Sequence, residues 1–281
     1  MKIDIFQVDA FTDNVFNGIT SAVCPLEKWI DDSIMQKIAK QTNLSKTSFI
    51  VKIAESIYDI RWFTPETEIT LSKHTALASA YVIFNHLDKN LSKVTLKSIA
   101  GDIEIANDDD LMSLNFDLHM PILYNQSNPI FSLSTGIEPL KVLESTDYIL
   151  VYENEDIVKN ITPNVEVLKS LNLRGVCITS VGDNSDFVFR YFAPKLGVSD
   201  DLVTGSVCSQ LAPYWSQVLN KKKLNAKQYS TRTGELECEV KETTVIIRGK
   251  ATLFMKGEII IEQRKNSREI ENETSRFAIA V

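Results

Sequence analysis

Two short stretches hold most of the residues that could do chemistry. Ser72-Lys73-His74-Thr75-Ala76 and Thr204-Gly205-Ser206-Val207-Cys208 each lead polar side chains into an apolar run. If both runs are helices, each start presents unpaired backbone N–H groups and the positive end of a helix dipole, and together these hold an anion. Lys73 and His74 stand at the first start; Asp201, Thr204, Gly205 and Ser206 stand at the second. Two such starts related by pseudo-symmetry would face one cleft suited to a small carboxylate-bearing molecule, so the expected partner is a small anionic metabolite. Simpler roles stay open: Thr204 and Ser206 as N-caps, each worth about 1 kcal/mol, and His74 as a satisfied buried imidazole. His86 and His119 have no comparable setting.

The elements that must position these groups come from periodicity. Residues 74–87 are apolar or small nearly all the way round, as expected of a helix enclosed by other elements. Residues 206–219 make a second such helix. Period-two alternation and turn residues predict strands at 2–8, 47–53, 57–63, 93–98, 101–106 and 111–117 in the first half. In the second half they predict strands at 148–152, 174–181, 186–192, 225–231, 234–241, 243–248, 250–255 and 257–262. Asp32 to Gln41 reads as a helix capped by Asp31 or Asp32. Arg61-Trp62-Phe63-Thr64-Pro65 recurs as Arg190-Tyr191-Phe192-Ala193-Pro194, and a helix start follows each copy. The reading is α+β, with two pseudo-symmetric lobes, each a curved sheet or barrel around a central buried helix. Their expected limits are 1–120 and 121–281, joined near 118–130, with a charged tail from Gln263 to Val281.

Composition excludes several classes. The 281 residues are 44% hydrophobic and 24% charged, which rules out a disordered chain. A formal net charge of −7 with no arginine-rich stretch argues against nucleic acid. No apolar run approaches the roughly 20 residues of a membrane span, so a soluble cytoplasmic protein with no membrane partner is expected. Cys24, Cys177, Cys208 and Cys238 are far apart with no C-x-x-C pair, and there are three histidines. Neither disulfides nor a metal site is expected. The expected assembly is a homodimer.

Several motifs together carry a family likeness. Phe11-Thr12-Asp13, Asn43-Leu44-Ser45-Lys46-Thr47-Ser48-Phe49, Trp62-Phe63-Thr64-Pro65-Glu66, Leu71-Ser72-Lys73-His74 and Asp201-Leu202-Val203-Thr204-Gly205-Ser206 resemble those of the PhzF-like phenazine-biosynthesis isomerases, nearly end to end. The resemblance implies the diaminopimelate epimerase fold and proton transfer without metal or cofactor. A glutamate would move the proton, while histidine, aspartate and serine position the substrate. The chain departs from this pattern at the base. Where the family motif reads N-L-S-E-T, the glutamate position is Lys46; where it reads L-C-G-H-A-T, Ser72 and Lys73 replace cysteine and glycine. The family's G-N-P-A-A-V becomes Gly18-Ile19-Thr20-Ser21-Ala22-Val23. The resemblance thus implies catalytic positions at Lys46, His74 and Asp201, and substrate contacts at Lys73, Thr204, Gly205 and Ser206. Three roles for Lys46 stay open: a base or Schiff-base nucleophile of lowered pKa, part of an anion clamp with Lys73 in a binding protein, or an ion-pair partner of Asp201 or Glu66.

Overall fold

The computed structural model describes residues 1–109, 111–126, 128–196 and 205–262. The first half holds β1 (Lys2–Ala10), β2 (Ile19–Leu26), α1 (Asp32–Thr42), β3 (Thr47–Ala54), β4 (Ile57–Phe63), β5 (Glu68–Ile69), α2 (Lys73–Val82), β6 (Lys93–Ser98), β7 (Gly101–Asp108) and β8 (Leu111–Asp117). The second holds β9 (Ile122–Leu123), α3 (Ile130–Thr135), β10 (Lys141–Glu144), β11 (Tyr148–Val151), α4 (Glu155–Asn160), α5 (Val165–Lys169), β12 (Val176–Val181), β13 (Phe187–Phe192), α6 (Gly205–Leu219), β14 (Lys223–Gln228), β15 (Gly234–Val240), β16 (Thr244–Gly249) and β17 (Ala251–Ile260). This is the expected α+β architecture, and all seventeen strands join one sheet.

Strand pairing gives the duplication its form. One lobe runs β17-β1-β2-β3-β4-β6-β7-β8, with β5 beside the far end of β4. The other runs β9-β10-β11-β12-β13-β14-β15-β16. In each lobe the third and fourth strands pair in parallel, as do the fifth and sixth, and the rest are antiparallel. The equivalent strands β8 and β16 pair with each other antiparallel, and this seam joins the lobes.

The second half opens with β9, which pairs with β10, and it hands its last strand across: β17 follows β16 but pairs with β1. The sheet therefore joins the two halves twice, at the β8–β16 seam and through this exchange of β17. Where 250–255 and 257–262 read as two strands, one ten-residue strand runs through Gly257. Side chains reinforce the exchange. Arg232 Nη2 reaches the buried Asp9 Oδ1 at 2.8 Å, and the same guanidinium donates to the Asn17 carbonyl at 2.6 Å.

The two central helices fill the lobes. Ala76, Leu77, Ala78, Ala80 and Val82 of α2 are fully buried, as are Val207, Cys208, Leu211 and Ala212 of α6. Small residues let α2 touch strands on every side. A π-helical turn, Ile83–Leu87, continues α2 to the end of its apolar run. Helix α1 instead lies outside, burying Met35, Ile38 and Ala39 on the sheet; Asp31 caps its start by accepting from Ser33 N–H at 2.8 Å, and Asn43 ends it in the left-handed conformation. Among the described residues no helix is long and apolar enough to cross a membrane. The tail from Gln263, Asp201 and Thr204 lie outside the described residues.

Candidate active site at the seam between the lobes

Both central helices begin at the β8–β16 seam. Lys73, the first residue of α2, donates through Nζ to the Asn115 carbonyl of β8 at 2.8 Å. Its ammonium lies 3.9 Å from the centre of the Phe116 ring, a cation–π distance. Gly205, the first residue of α6, faces the same ring: a methyl group there would stand 3.7 Å from Phe116 Cζ and 3.3 Å from Phe11 Cζ. The two helix starts thus flank one aromatic side chain, although their residues are far apart in the chain. Phe11 wedges in from β1 at φ 62°. Its N–H donates to the Lys250 carbonyl at 2.8 Å and its carbonyl accepts from Glu235 N–H at 2.9 Å. Gly249 is required beneath it, because a Cβ there would meet Phe11 Cδ1 at 2.4 Å.

His74 follows on the first turn of α2. The residue is partly exposed, yet its Nε2 is buried and finds no hydrogen-bond partner among the described residues. Burial, and next the charge of Lys46, hold its pKa well below the ordinary imidazole value, so the ring is neutral at neutral pH. Lys46 is therefore near enough to His74 for its charge to act on the imidazole. Lys46 is half-buried just before β3 and is fixed by its backbone, whose carbonyl accepts from Ala22 N–H at 3.2 Å. The parallel β2–β3 pairing, Ala22 opposite Thr47, sets that position.

A buried layer of hydroxyls supports the start of α2. Thr75 Oγ1 lies 2.8 Å from Ser72 Oγ and 3.3 Å from Ser21 Oγ, and Ser48 Oγ lies 2.8 Å from Ser79 Oγ. Thr47 Oγ1 is buried without a partner among the described residues. Ser72 makes no side-chain cap, so the first turn of α2 keeps N–H groups for an incoming acceptor. Sequence reading missed Thr47, Ser21 and Ser48; the signal was there, as hydroxyl residues within otherwise apolar strands.

The remaining candidates fall as follows. Ser206 is partly exposed on the first turn of α6, where its carbonyl accepts from Ser209 Oγ at 2.8 Å. Lys73 is turned onto β8, and its pKa is lowered by burial against the opposing charge of Asp117. A groove of about 640 Å³ lies elsewhere, walled by residues such as Asn14, Asn17, Tyr229, Arg248 and Lys250, and none of the described candidate residues lines it. Among the described residues no cluster of histidine, cysteine, aspartate and glutamate could hold a metal. All four cysteines are buried free thiols.

Known proteins resemble this chain in sequence and fold. Over 257 residues the chain is 39% identical to a protein named as an uncharacterized isomerase of Pseudomonas aeruginosa, covering 92% of this chain and 98% of that one. A solved structure described as a phenazine biosynthesis protein of the PhzF family from Enterococcus faecalis is 40% identical, with a TM-score of 0.90, covering 93% of this chain and all of that one. The hydroxyproline epimerase of Agrobacterium vitis, at 8% identity and a TM-score of 0.58 over 93% of each chain, shares the fold alone. With a family match over residues 8–257, this chain belongs to the family described as phenazine biosynthesis-like protein.

Proposed function

We propose that the protein is an isomerase or epimerase that moves a proton, without a cofactor, on a small carboxylate-bearing substrate held at the seam between the lobes. The observation that carries this reading is a neutral His74 whose Nε2 is buried and finds no partner among the described residues, within the electrostatic reach of Lys46 and at the start of a helix with no side-chain cap. A buried polar atom without a partner costs about 1–3 kcal/mol, and a bound substrate would recover that cost.

In the proposed step, Lys46, in its deprotonated form, takes a proton from the carbon beside the substrate carboxylate. The C–H electron pair passes into the carboxylate, and the charge building on its oxygens is met by N–H groups at the starts of α2 and α6, including those of Gly205 and Ser206. His74 hydrogen-bonds the substrate through Nε2. The ammonium of Lys46 then returns the proton, on the face from which it was taken, to another carbon to which the charge is delocalised. Substrate and product differ only in where hydrogen sits, so no oxidant or reductant is required. Asp201 and Thr204 take positioning roles by the family likeness, and Lys73 adds positive potential from the second row.

One observation favours an alternative: an altered or inactive homologue that binds a small anionic ligand. Lys46 acts on His74 as a cation, and a protonated amine clamps an anion but cannot accept a proton. Incubation with a panel of small amino and hydroxy acids in deuterated water separates the two. Deuterium entering a carbon position, and its loss in Lys46→Ala, supports proton transfer. Saturable binding without deuterium uptake across the pH range supports the binding protein.

A further inference from the structure

The pseudo-symmetry of the two lobes makes one surface conspicuous. In the second lobe, the chain leaving its edge strand β9 forms α3, which lies over the outer face of β10 and β11. There Phe131 sits 5.1 Å from the Tyr148 ring and 5.3 Å from that of Tyr124, inside a cluster with Leu150 and Val158. In the first lobe β17 holds the place of β9, and among the described residues α1 is the helix on the corresponding outer face. Between α1 and β17 runs an apolar groove of about 600 Å³ whose walls include Ile5, Ile34, Ile38, Ile259 and Ile261, with Lys37 at its rim.

Residues 263–281 follow in the sequence. They begin two residues beyond Ile261, itself a groove residue, and past the end of the family match at residue 257. Their sequence places large apolar residues in alternation, Phe277, Ile279 and Val281 with Ala278 and Ala280 between them. At roughly 3.3 Å per extended residue, the stretch between Ile261 and Phe277 is long enough to reach any part of such a groove. A tether of this kind also raises the local concentration to the millimolar range.

We propose that the groove between α1 and β17 is the docking site for the chain's own segment 263–281, with Phe277, Ile279 and Val281 entering it in the place that α3 takes in the other lobe. The test is a fluorescently labelled peptide of residues 263–281, titrated onto the full chain and onto a chain ending at Glu262. Saturable binding to the shortened chain, at least tenfold weaker binding to the full chain, and loss of binding with a peptide carrying Phe277→Asp and Ile279→Asp are expected. Ile34→Lys in the shortened chain should abolish binding; because Ile34 is half-buried, the peptide variant provides a control free of folding effects. Equal affinity for both chains, or no binding to either, overturns the proposal. So does a shortened chain that dimerises and thereby excludes the peptide, since a second copy would then be the occupant.

Discussion

Replacing His74 with glutamine should flatten the loss of stability on mild acidification. In the folded protein the imidazole is held neutral, first by burial and then by the charge of Lys46. In the unfolded chain its pKa returns to about 6.5. A folded pKa depressed in this way gives stability that is present above about pH 6.5 and is lost as pH falls toward the folded value, because only the unfolded state takes up the proton. With a single site, the loss between pH 6.5 and 5.5 is at most about 1.0 kcal/mol, the full amount when the folded imidazole stays neutral across that window. His86 also has a lowered pKa, from burial, Lys256 and Lys89, but it is common to both proteins and drops out of the comparison. Glu155 and Glu239, each held at about 2, contribute stability that is lost below their ordinary value near 4.5, beneath this window. Urea unfolding midpoints for wild type and His74→Gln at about pH 7.5, 6.5 and 5.5 read the difference directly. Parallel pH dependence in the two proteins would refute a buried neutral imidazole at this position.

Two further outcomes follow from the same geometry. Lys46→Ala should raise the pKa of His74, followed through its ring-proton resonance, while burial keeps it below the ordinary value; an unchanged pKa would place Lys46 away from the imidazole. Gly249→Ala should cost about 1–3 kcal/mol in urea unfolding, because the new methyl would stand 2.4 Å from Phe11 Cδ1, and no loss would mean that Phe11 is not wedged at the seam.

Much of this fold is legible in the sequence, and the illegible part has physical causes. α2 and α6 announce themselves because Ala76–Val82 and Val207–Ala212 leave little polar face for water. β2 escapes because Thr20, Ser21 and Pro25 interrupt its apolar pattern, and α3, α4 and α5, at six, six and five residues, are too short to show a period. The strand exchange leaves no local trace: β17 pairs with β1 from the opposite end of the chain, and its exposed Phe254, Met255 and Lys256 break any alternation. At the site, the helix starts could be read as anion-holding ends. That both would flank Phe116, and that Lys73 would turn onto β8 while Lys46 faces His74 electrostatically, depends on the β8–β16 pairing and on the parallel register of β2 with β3. Neither is encoded in a short motif.

The central claim is that the starts of α2 and α6 form one small-carboxylate site served by Lys46 and His74. A crystal structure with a bound small α-amino or α-hydroxy acid tests it most directly. The account expects a carboxylate oxygen within hydrogen-bonding distance of His74 Nε2 and of backbone N–H groups on the first turn of α6, with Lys46 Nζ within about 3.5 Å of the α-carbon. An acid bound in the groove beside Tyr229 and Arg248 instead, or one bound at the seam with Lys46 Nζ directed away from its α-carbon, would contradict it.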